Sequence, residues 1–203
     1  LELPRLTRQL QAGCDAAART RGLKFLGMDR AAAEAAVAAV YQDLDTAVGV
    51  ESQAELTEAE EDEIDATGGH SAYGELAHTE VARLLEVAAD ALGGSGKIPD
   101  QWGFFDLGSG LGKLVLTVWM LRPRGCTEVV GVELAPPRHG AAVEARERLG
   151  KSHPQPAGNP LICRLLREDL AITNLAGATV IYLASLCFEE DFMGVLAARF
   201  EAE

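Results

Sequence analysis

The sequence predicts an α/β fold in which a mostly parallel sheet is flanked by helices and preceded by an α-helical amino-terminal region. From Trp102 onwards, short apolar runs typical of strands alternate with segments of helical periodicity, as in parallel strands joined by crossover helices. A glycine-rich turn joins the first of these strands to the helix after it. The chain has 203 residues, 48% of them hydrophobic, which is enough for one sizeable α/β domain and too few for two.

The region before Trp102 is predicted to be helical. Apolar residues at steps of four predict a helix over 3–21, and a longer apolar stripe predicts a second helix over 30–47 with Asp29 as its N-cap. A third helix is predicted over 75–92. We therefore divide the chain into a helical amino-terminal region, 1–72, which contains an acidic connector, 51–65, and a core, 73–203.

Negative charge is concentrated in the acidic connector. The chain has a formal net charge of −13, and residues 51–65 contain eight acids and no base, which leaves −5 for the remainder. Such a block predicts a solvated loop or flexible connector, and its functional alternative is a docking surface for a basic protein such as a histone or ribosomal protein. Direct nucleic-acid binding by this segment is not expected, because phosphate recognition depends on lysine and arginine.

The run from Phe104 to Lys113 is typical of a buried strand, a turn and the start of a helix. Gly108, Gly110 and Gly112 lie on this turn, where the absence of Cβ atoms lets the backbone approach a ligand. Free amides at the helix start favour a carboxylate or other negative charge, and Asp106 offers an acceptor at the carboxyl end of the strand.

Acids at three predicted strand ends indicate the class of ligand. Glu133 ends the second strand (128–133), Asp169 follows the third (161–167), and both would lie at the same edge as Asp106. The spacing G-x-G-x-G lacks the third glycine of the dinucleotide fingerprint, which counts against a nicotinamide or flavin site. The pattern predicts a nucleoside-bearing ligand with little phosphate, and S-adenosylmethionine fits that description.

The remaining features bound the setting of the protein. A fourth strand is predicted over 179–183 and its helix over 188–200, and the first residue is Leu rather than Met, so we expect a cropped segment. No run is long and apolar enough for a membrane span, and no signal peptide is predicted. Four scattered cysteines and four histidines show no disulfide or metal spacing. We expect reduced thiols, a nuclear or cytoplasmic setting and no structural metal.

Several segments together resemble a known family, the non-SET histone lysine methyltransferases of the disruptor-of-telomeric-silencing type. The segments that carry the resemblance are Tyr73-Gly74-Glu75-Leu76, then Asp106 to Lys113, then Gly131-Val132-Glu133-Leu134, then Asp169, and lastly Val180-Ile181-Tyr182 before Cys187-Phe188. The resemblance covers roughly Tyr73 to Phe200. It implies a Rossmann-like class I methyltransferase core, S-adenosylmethionine as methyl donor and a protein lysine as acceptor. A seven-stranded sheet would need roughly three more strands, so we expect either an abbreviated sheet or a segment whose carboxyl-terminal strands are missing here.

The resemblance also implies roles for individual residues. Asp106 and the turn would hold the methionine half and ribose, Glu133 the ribose hydroxyls, and Asp169 with the Leu170 amide the adenine, while Glu75 would cover the methionine end. The cofactor-binding residues are then Glu75, Asp106, Gly108, Ser109, Gly110, Gly112, Glu133, Leu134, Asp169 and Leu170. Ser185, Phe188 and Tyr73 are the catalytic candidates. From the residues alone, Glu133 could be an exposed strand end, Asp169 a helix N-cap, Glu75 a first-turn acid and Tyr73 a packing aromatic.

Two departures from the family pattern bear on activity. The family's fourth motif carries asparagine, where this chain has Ala184 followed by Ser185, so Ser185 would have to supply the polar contact. Leu170 stands where an aromatic residue usually stacks on adenine. The alternatives are a catalytically impaired pseudo-methyltransferase that serves as a binding module, and a class I methyltransferase for a nonhistone protein or a small molecule.

Overall fold

The computed structural model describes residues 23–44, 56–67, 78–92, 100–185 and 188–202. In these ranges, three helices precede the first strand, and strands and helices then alternate except that β3 and β4 follow one another directly. The elements are α1 (Arg30–Leu44), α2 (Glu58–Asp65), α3 (His78–Leu92), β1 (Trp102–Leu107), α4 (Lys113–Leu121), β2 (Cys126–Val132), α5 (Pro136–Ser152), β3 (Ile162–Leu166), β4 (Ala178–Leu183) and α6 (Glu190–Ala202).

The four strands form one parallel sheet in the order β3-β2-β1-β4. This is a Rossmann-like arrangement of parallel strands flanked by helices, as the sequence predicts. All six residues of β1 are buried, which explains its continuous apolar run, since a central parallel strand is covered on both faces. Asp106 on β1 lies opposite Gly131 on β2 and Tyr182 on β4. The strand ends that carry the predicted site residues therefore meet at one edge.

The two faces of the sheet have separate hydrophobic clusters. The larger one joins β1 to the helices of one layer, with Phe104, Leu85 on α3 and Val118 on α4 all buried in it. Helix α1 adds Val37 and Tyr41 to the same cluster and packs against α4 and α5. The smaller cluster contains Phe105, Leu107, Val130, Val132 and Leu175, with Phe200 of α6 packed against it. The amino-terminal helix α1 thus shares its core with the sheet.

The helices before the sheet agree with the sequence in part. Helix α1 begins where it was predicted to, and the Asp29 carboxylate accepts a hydrogen bond from the Ala32 amide at 3.0 Å, as expected of an N-cap. The helix predicted over 3–21 lies outside the described residues, as do residues 75–77 at the start of the third. Within the described ranges, no helix is both long enough and apolar enough to cross a membrane.

The acidic connector differs from the loop that its charge predicts, because Glu58–Asp65 forms helix α2. The Glu60 carboxylate accepts hydrogen bonds from the Thr57 amide and hydroxyl, both at 2.8 Å, and these bonds lower its pKa. Acids in the first turn also interact favourably with the helix dipole, and Ile64 is buried. Capping and one apolar anchor therefore outweigh the repulsion between the acids.

Candidate functional site

The glycine turn after β1 is held by its own hydrogen bonds. Gly108, Gly110 and Gly112 have φ angles of 80°, 54° and 79°, which side chains with a Cβ rarely adopt. The Gly108 and Ser109 amides both donate to the Val132 carbonyl at 2.9 Å, and the Gly112 amide donates to the Ser109 carbonyl at 2.8 Å. The N–H groups of Gly108, Ser109 and Gly112 therefore already have acceptors, and the expectation of amides available to an anion at the start of α4 stays a prediction.

Glu133 connects the turn to the end of β2. Its carboxylate accepts the Gly110 amide at 2.8 Å on one oxygen and the Ala135 amide at 2.9 Å on the other. The residue is buried, so the reading of Glu133 as an exposed strand end is wrong. Each carboxylate oxygen can accept a second hydrogen bond, so the orientation of Glu133 is set while acceptor capacity remains for hydroxyl donors.

Asp106 is a second buried acid beside the same turn, with only 3% of its surface exposed. Burial, and next the negative charge of Glu133, raise the pKa of Asp106 to about 8. Burial and the charge of Asp106 likewise raise the pKa of Tyr182, which is paired with Asp106 on the neighbouring strand β4. Two neighbouring carboxylates in a buried setting favour a cation over a phosphate.

Gly131 allows the turn to lie directly on β2. A Cβ at Gly131 would lie 2.9 Å from Ser109 Oγ and 3.0 Å from both Leu165 Cδ2 and Val115 Cγ2. The Ser109 side chain therefore packs over the backbone of β2 beside Asp106. The sequence reading placed Ser109 at the site and did not assign a role to Gly131.

Gly112 lies close to α5 and β3. A Cβ there would lie 2.9 Å from Ala142 Cβ on α5 and 3.7 Å from Leu165 Cδ2 on β3. The close approach of the turn to Ala142 and the positive φ angle together account for glycine at this position. Its predicted contact with a cofactor stays a prediction.

The turn after β3 is held at both ends. The Asp169 carboxylate accepts the Ala171 amide at 2.8 Å and the Asp169 carbonyl accepts the Thr173 amide at 3.0 Å, so Asp169 caps its own turn. Arg199 on α6 donates to the Leu170 carbonyl at 3.0 Å and to the Thr173 carbonyl. The sequence reading did not identify Arg199, and no local signal points to it, since α6 begins twenty residues after Leu170.

Phe188 and Leu170 meet over the first glycine. A Cβ at Gly108 would lie 3.9 Å from both the Leu170 side chain and the Phe188 ring. Phe188 also packs edge-on against Phe192, with 5.3 Å between the ring centroids. The Ser185 carbonyl accepts the Phe188 amide at 3.2 Å, which brings Ser185 to the same end of β4. Phe188 thus forms an apolar wall beside the turn.

The other predicted residues divide into two groups. Leu134 lies directly after Glu133, and its carbonyl accepts a hydrogen bond from Arg167 Nε at 3.2 Å. Arg167 is also 3.5 Å from Glu63, so acidic helix α2 lies beside this edge of the sheet. Tyr73 and Glu75 fall outside the described residues, and their roles stay predictions.

A cavity lies at the opposite, amino-terminal edge of the sheet. Its volume is about 290 Å³, and it is lined by Leu26, Asp100, Arg122, Arg124, Thr127 and Asn159 among others. It contains none of the predicted site residues. The glycine turn with its two acids at the carboxyl edge is therefore the candidate site, because ligands of open parallel sheets bind at that edge.

The chain was compared with known proteins. No family model matches, and no curated protein matches. Solved structures that are similar to it include an S-adenosylmethionine-dependent methyltransferase from Thiobacillus denitrificans in complex with S-adenosyl-L-homocysteine, at 19% identity over 55% of this chain and a TM-score of 0.33. Magnesium protoporphyrin IX methyltransferase from Synechocystis is 13% identical over 64%, with a TM-score of 0.38. A candidate RNA methyltransferase from Pyrococcus horikoshii is 18% identical over 59%, with a TM-score of 0.30.

The chain covers 42%, 61% and 54% of the length of these three structures. At such TM-scores the likeness carries no weight for function.

Proposed function

We propose that the protein is an S-adenosylmethionine-dependent methyltransferase. The observation that carries this proposal is the pair of buried acids, Asp106 and Glu133, beside a glycine turn in which the amides of all three glycines are already hydrogen-bonded. A dinucleotide needs free turn amides for its pyrophosphate. A nucleoside that carries a sulfonium and an ammonium group needs acids instead, and it has no phosphate to be repelled.

The described residues fit such a cofactor part by part. Glu133 is oriented to accept ribose hydroxyls, Leu170 offers an apolar contact to adenine, and Asp106 lies where a positive charge would be neutralised. The cofactor supplies an activated methyl group with a good leaving group. The chain's task is then to bind and orient the acceptor in line with that methyl group, since correct placement supplies much of the acceleration.

For the acceptor we propose a lysine of a basic protein, a histone being the leading case. The support is the sequence resemblance together with the position of helix α2, whose acids lie beside the carboxyl edge through the Glu63–Arg167 contact. An acceptor lysine must lose its proton, against an ordinary pKa of about 10.4. The Phe188 ring beside Gly108 would favour the neutral amine by excluding water.

Calorimetry on the chain tests the cofactor directly. We expect S-adenosylmethionine and S-adenosylhomocysteine to bind while NAD does not. Binding of NAD with no binding of either S-adenosyl compound would contradict the proposal. A tritium-transfer assay on histones, ribosomal proteins and free lysine then distinguishes the acceptor classes, because a small-molecule methyltransferase would label none of the proteins.

A second candidate function, a cofactor-binding module without activity, is favoured by Ala184. An alanine side chain forms no hydrogen bond to acceptor or cofactor at the position where the resembled family has asparagine. Ala184→Asn should then create methyl transfer in a protein that otherwise binds S-adenosylmethionine without turnover. If the wild-type protein already transfers methyl groups at a rate that Ala184→Asn does not raise, the module hypothesis is wrong.

A further inference from the structure

Tyr41 connects the amino-terminal helix α1 to the glycine turn. It is 4% exposed, and its hydroxyl donates a hydrogen bond to the carbonyl of Leu111, which lies 70 residues away in the sequence. The Lys113 ammonium lies 5.2 Å from the centre of the Tyr41 ring, a cation–π geometry. One side chain of α1 thus contacts the turn on both sides of Gly112.

This contact orients one peptide group of the turn. The Leu111 carbonyl is held by Tyr41, and the Gly112 amide of the same peptide donates to the Ser109 carbonyl at 2.8 Å. The Ser109–Gly110 peptide, which lies earlier in the turn, is also held at both of its polar groups. Its Gly110 amide donates a hydrogen bond to Glu133, and its Ser109 carbonyl accepts one from the Gly112 amide. Tyr41 and Glu133 therefore hold the turn from its two ends, Tyr41 from α1 and Glu133 from β2.

We propose that Tyr41 is a positioning residue for the cofactor turn, so that helix α1 is part of the binding site although it lies far from it in sequence. This inference rests on the proposed function. A turn with three glycines has large conformational freedom in the absence of restraints. If Tyr41 orders the turn before the ligand arrives, less conformational entropy is lost on binding and the affinity is higher.

Tyr41→Phe tests the hydroxyl alone, since phenylalanine keeps the ring under Lys113. S-adenosylmethionine should bind about threefold to tenfold more weakly, the effect of one lost hydrogen bond. Amide exchange in the peptide that spans residues 106–114 should be faster in the free protein. The control is Val40→Ala, which shortens a buried side chain of the same helix and removes none of the hydrogen bonds described for the turn. It should lower the unfolding temperature yet bind the ligand within about twofold of wild type.

The outcomes separate the inference from the proposed function. If the wild-type protein binds S-adenosylmethionine and Tyr41→Phe binds it equally well, the inference is overturned and the function stands. Equal losses of affinity in Tyr41→Phe and Val40→Ala would show that Tyr41 has only a structural role, which would also overturn the inference. If the wild-type protein does not bind the ligand, the proposed function fails. The turn-ordering role then stands only if exchange at 106–114 is faster in Tyr41→Phe than in Val40→Ala.

Discussion

Binding of S-adenosylmethionine should strengthen as the pH rises from 6 to 8, because Asp106 must lose a proton to neutralise a cation. Burial and the charge of Glu133 raise the pKa of Asp106 to about 8, so the free protein carries a neutral carboxyl at pH 7. A bound cation favours the charged form. Ligand binding and proton release from Asp106 are therefore linked.

The magnitude follows from that pKa. Below about pH 8, each pH unit should weaken the affinity by up to tenfold, or about 1.4 kcal/mol, and the dependence should level off above it. The same pKa also determines how the stability of the free protein changes with pH. Folding raises the pKa of Asp106 from 3.8, so the folded state binds the proton more tightly than the unfolded chain. The contribution of Asp106 to stability should therefore be fully present below pH 3.8 and fall as the pH rises from there to about 8.

Calorimetric titrations at several pH values, in buffers of different ionisation enthalpy, measure both the affinity and the proton release. The amino group of the ligand titrates near pH 8 as well, so Asp106→Asn is the matched control. The variant keeps the shape of the site and the titration of the ligand, and the difference between the two curves belongs to Asp106.

Two results would refute this reasoning. The first is an affinity for the wild-type protein that does not change between pH 6 and 8. The second is a pH dependence in Asp106→Asn that matches that of the wild-type protein, since the proton would then come from the ligand or from another residue.

Three further predictions concern the supports of the site. Glu133→Ala should weaken S-adenosylmethionine binding by about 1 to 3 kcal/mol and also lower stability, because the buried Gly110 and Ala135 amides lose their acceptor. The control is Glu144→Ala, which changes an exposed acid. Unchanged binding in Glu133→Ala would mean that the ribose contact lies elsewhere. Gly131→Ala should destabilise the fold by about 1 to 3 kcal/mol, because the added methyl group crowds Ser109 and Val115. Gly140→Ala has open space on α5 and should stabilise the fold by up to about 1 kcal/mol. Chemical denaturation measures both free energies of unfolding, and equal effects would contradict the packing account. Arg199→Met should weaken S-adenosylmethionine binding severalfold and speed amide exchange over 169–173, because the Leu170 and Thr173 carbonyls lose their donor. Exchange at the wild-type rate would show that Arg199 does not order this turn.

Much of the fold could be read from local signals. The apolar runs, the glycine turn and the proline start of α5 identify strands and helices because each depends on residues close together in the sequence. The acids after β1, β2 and β3 could be assigned to one edge of a sheet because parallel strands place their carboxyl ends together. The Asp29 cap is local in the same sense, since its acceptor and donor are three residues apart.

The acidic connector shows where local reasoning fails. Its charge predicts a loop, but the helix depends on one capping interaction and on burial of Ile64, and only tertiary packing decides that burial. The state of the Gly108, Ser109 and Gly110 amides is likewise a tertiary property, since their acceptors are Val132 at the end of β2 and Glu133 directly after it.

The sequence by itself determined the order of strands and helices from Trp102 onwards, the glycines that the turn requires and the acids at the strand ends. Only the tertiary structure decided what surrounds them. The burial that raises the pKa of Asp106, the packing of Gly112 on Ala142 and the bond from Tyr41 to Leu111 each join residues from different elements. The reason is physical: desolvation, packing and long-range hydrogen bonds depend on distance in space, which a local sequence pattern does not contain.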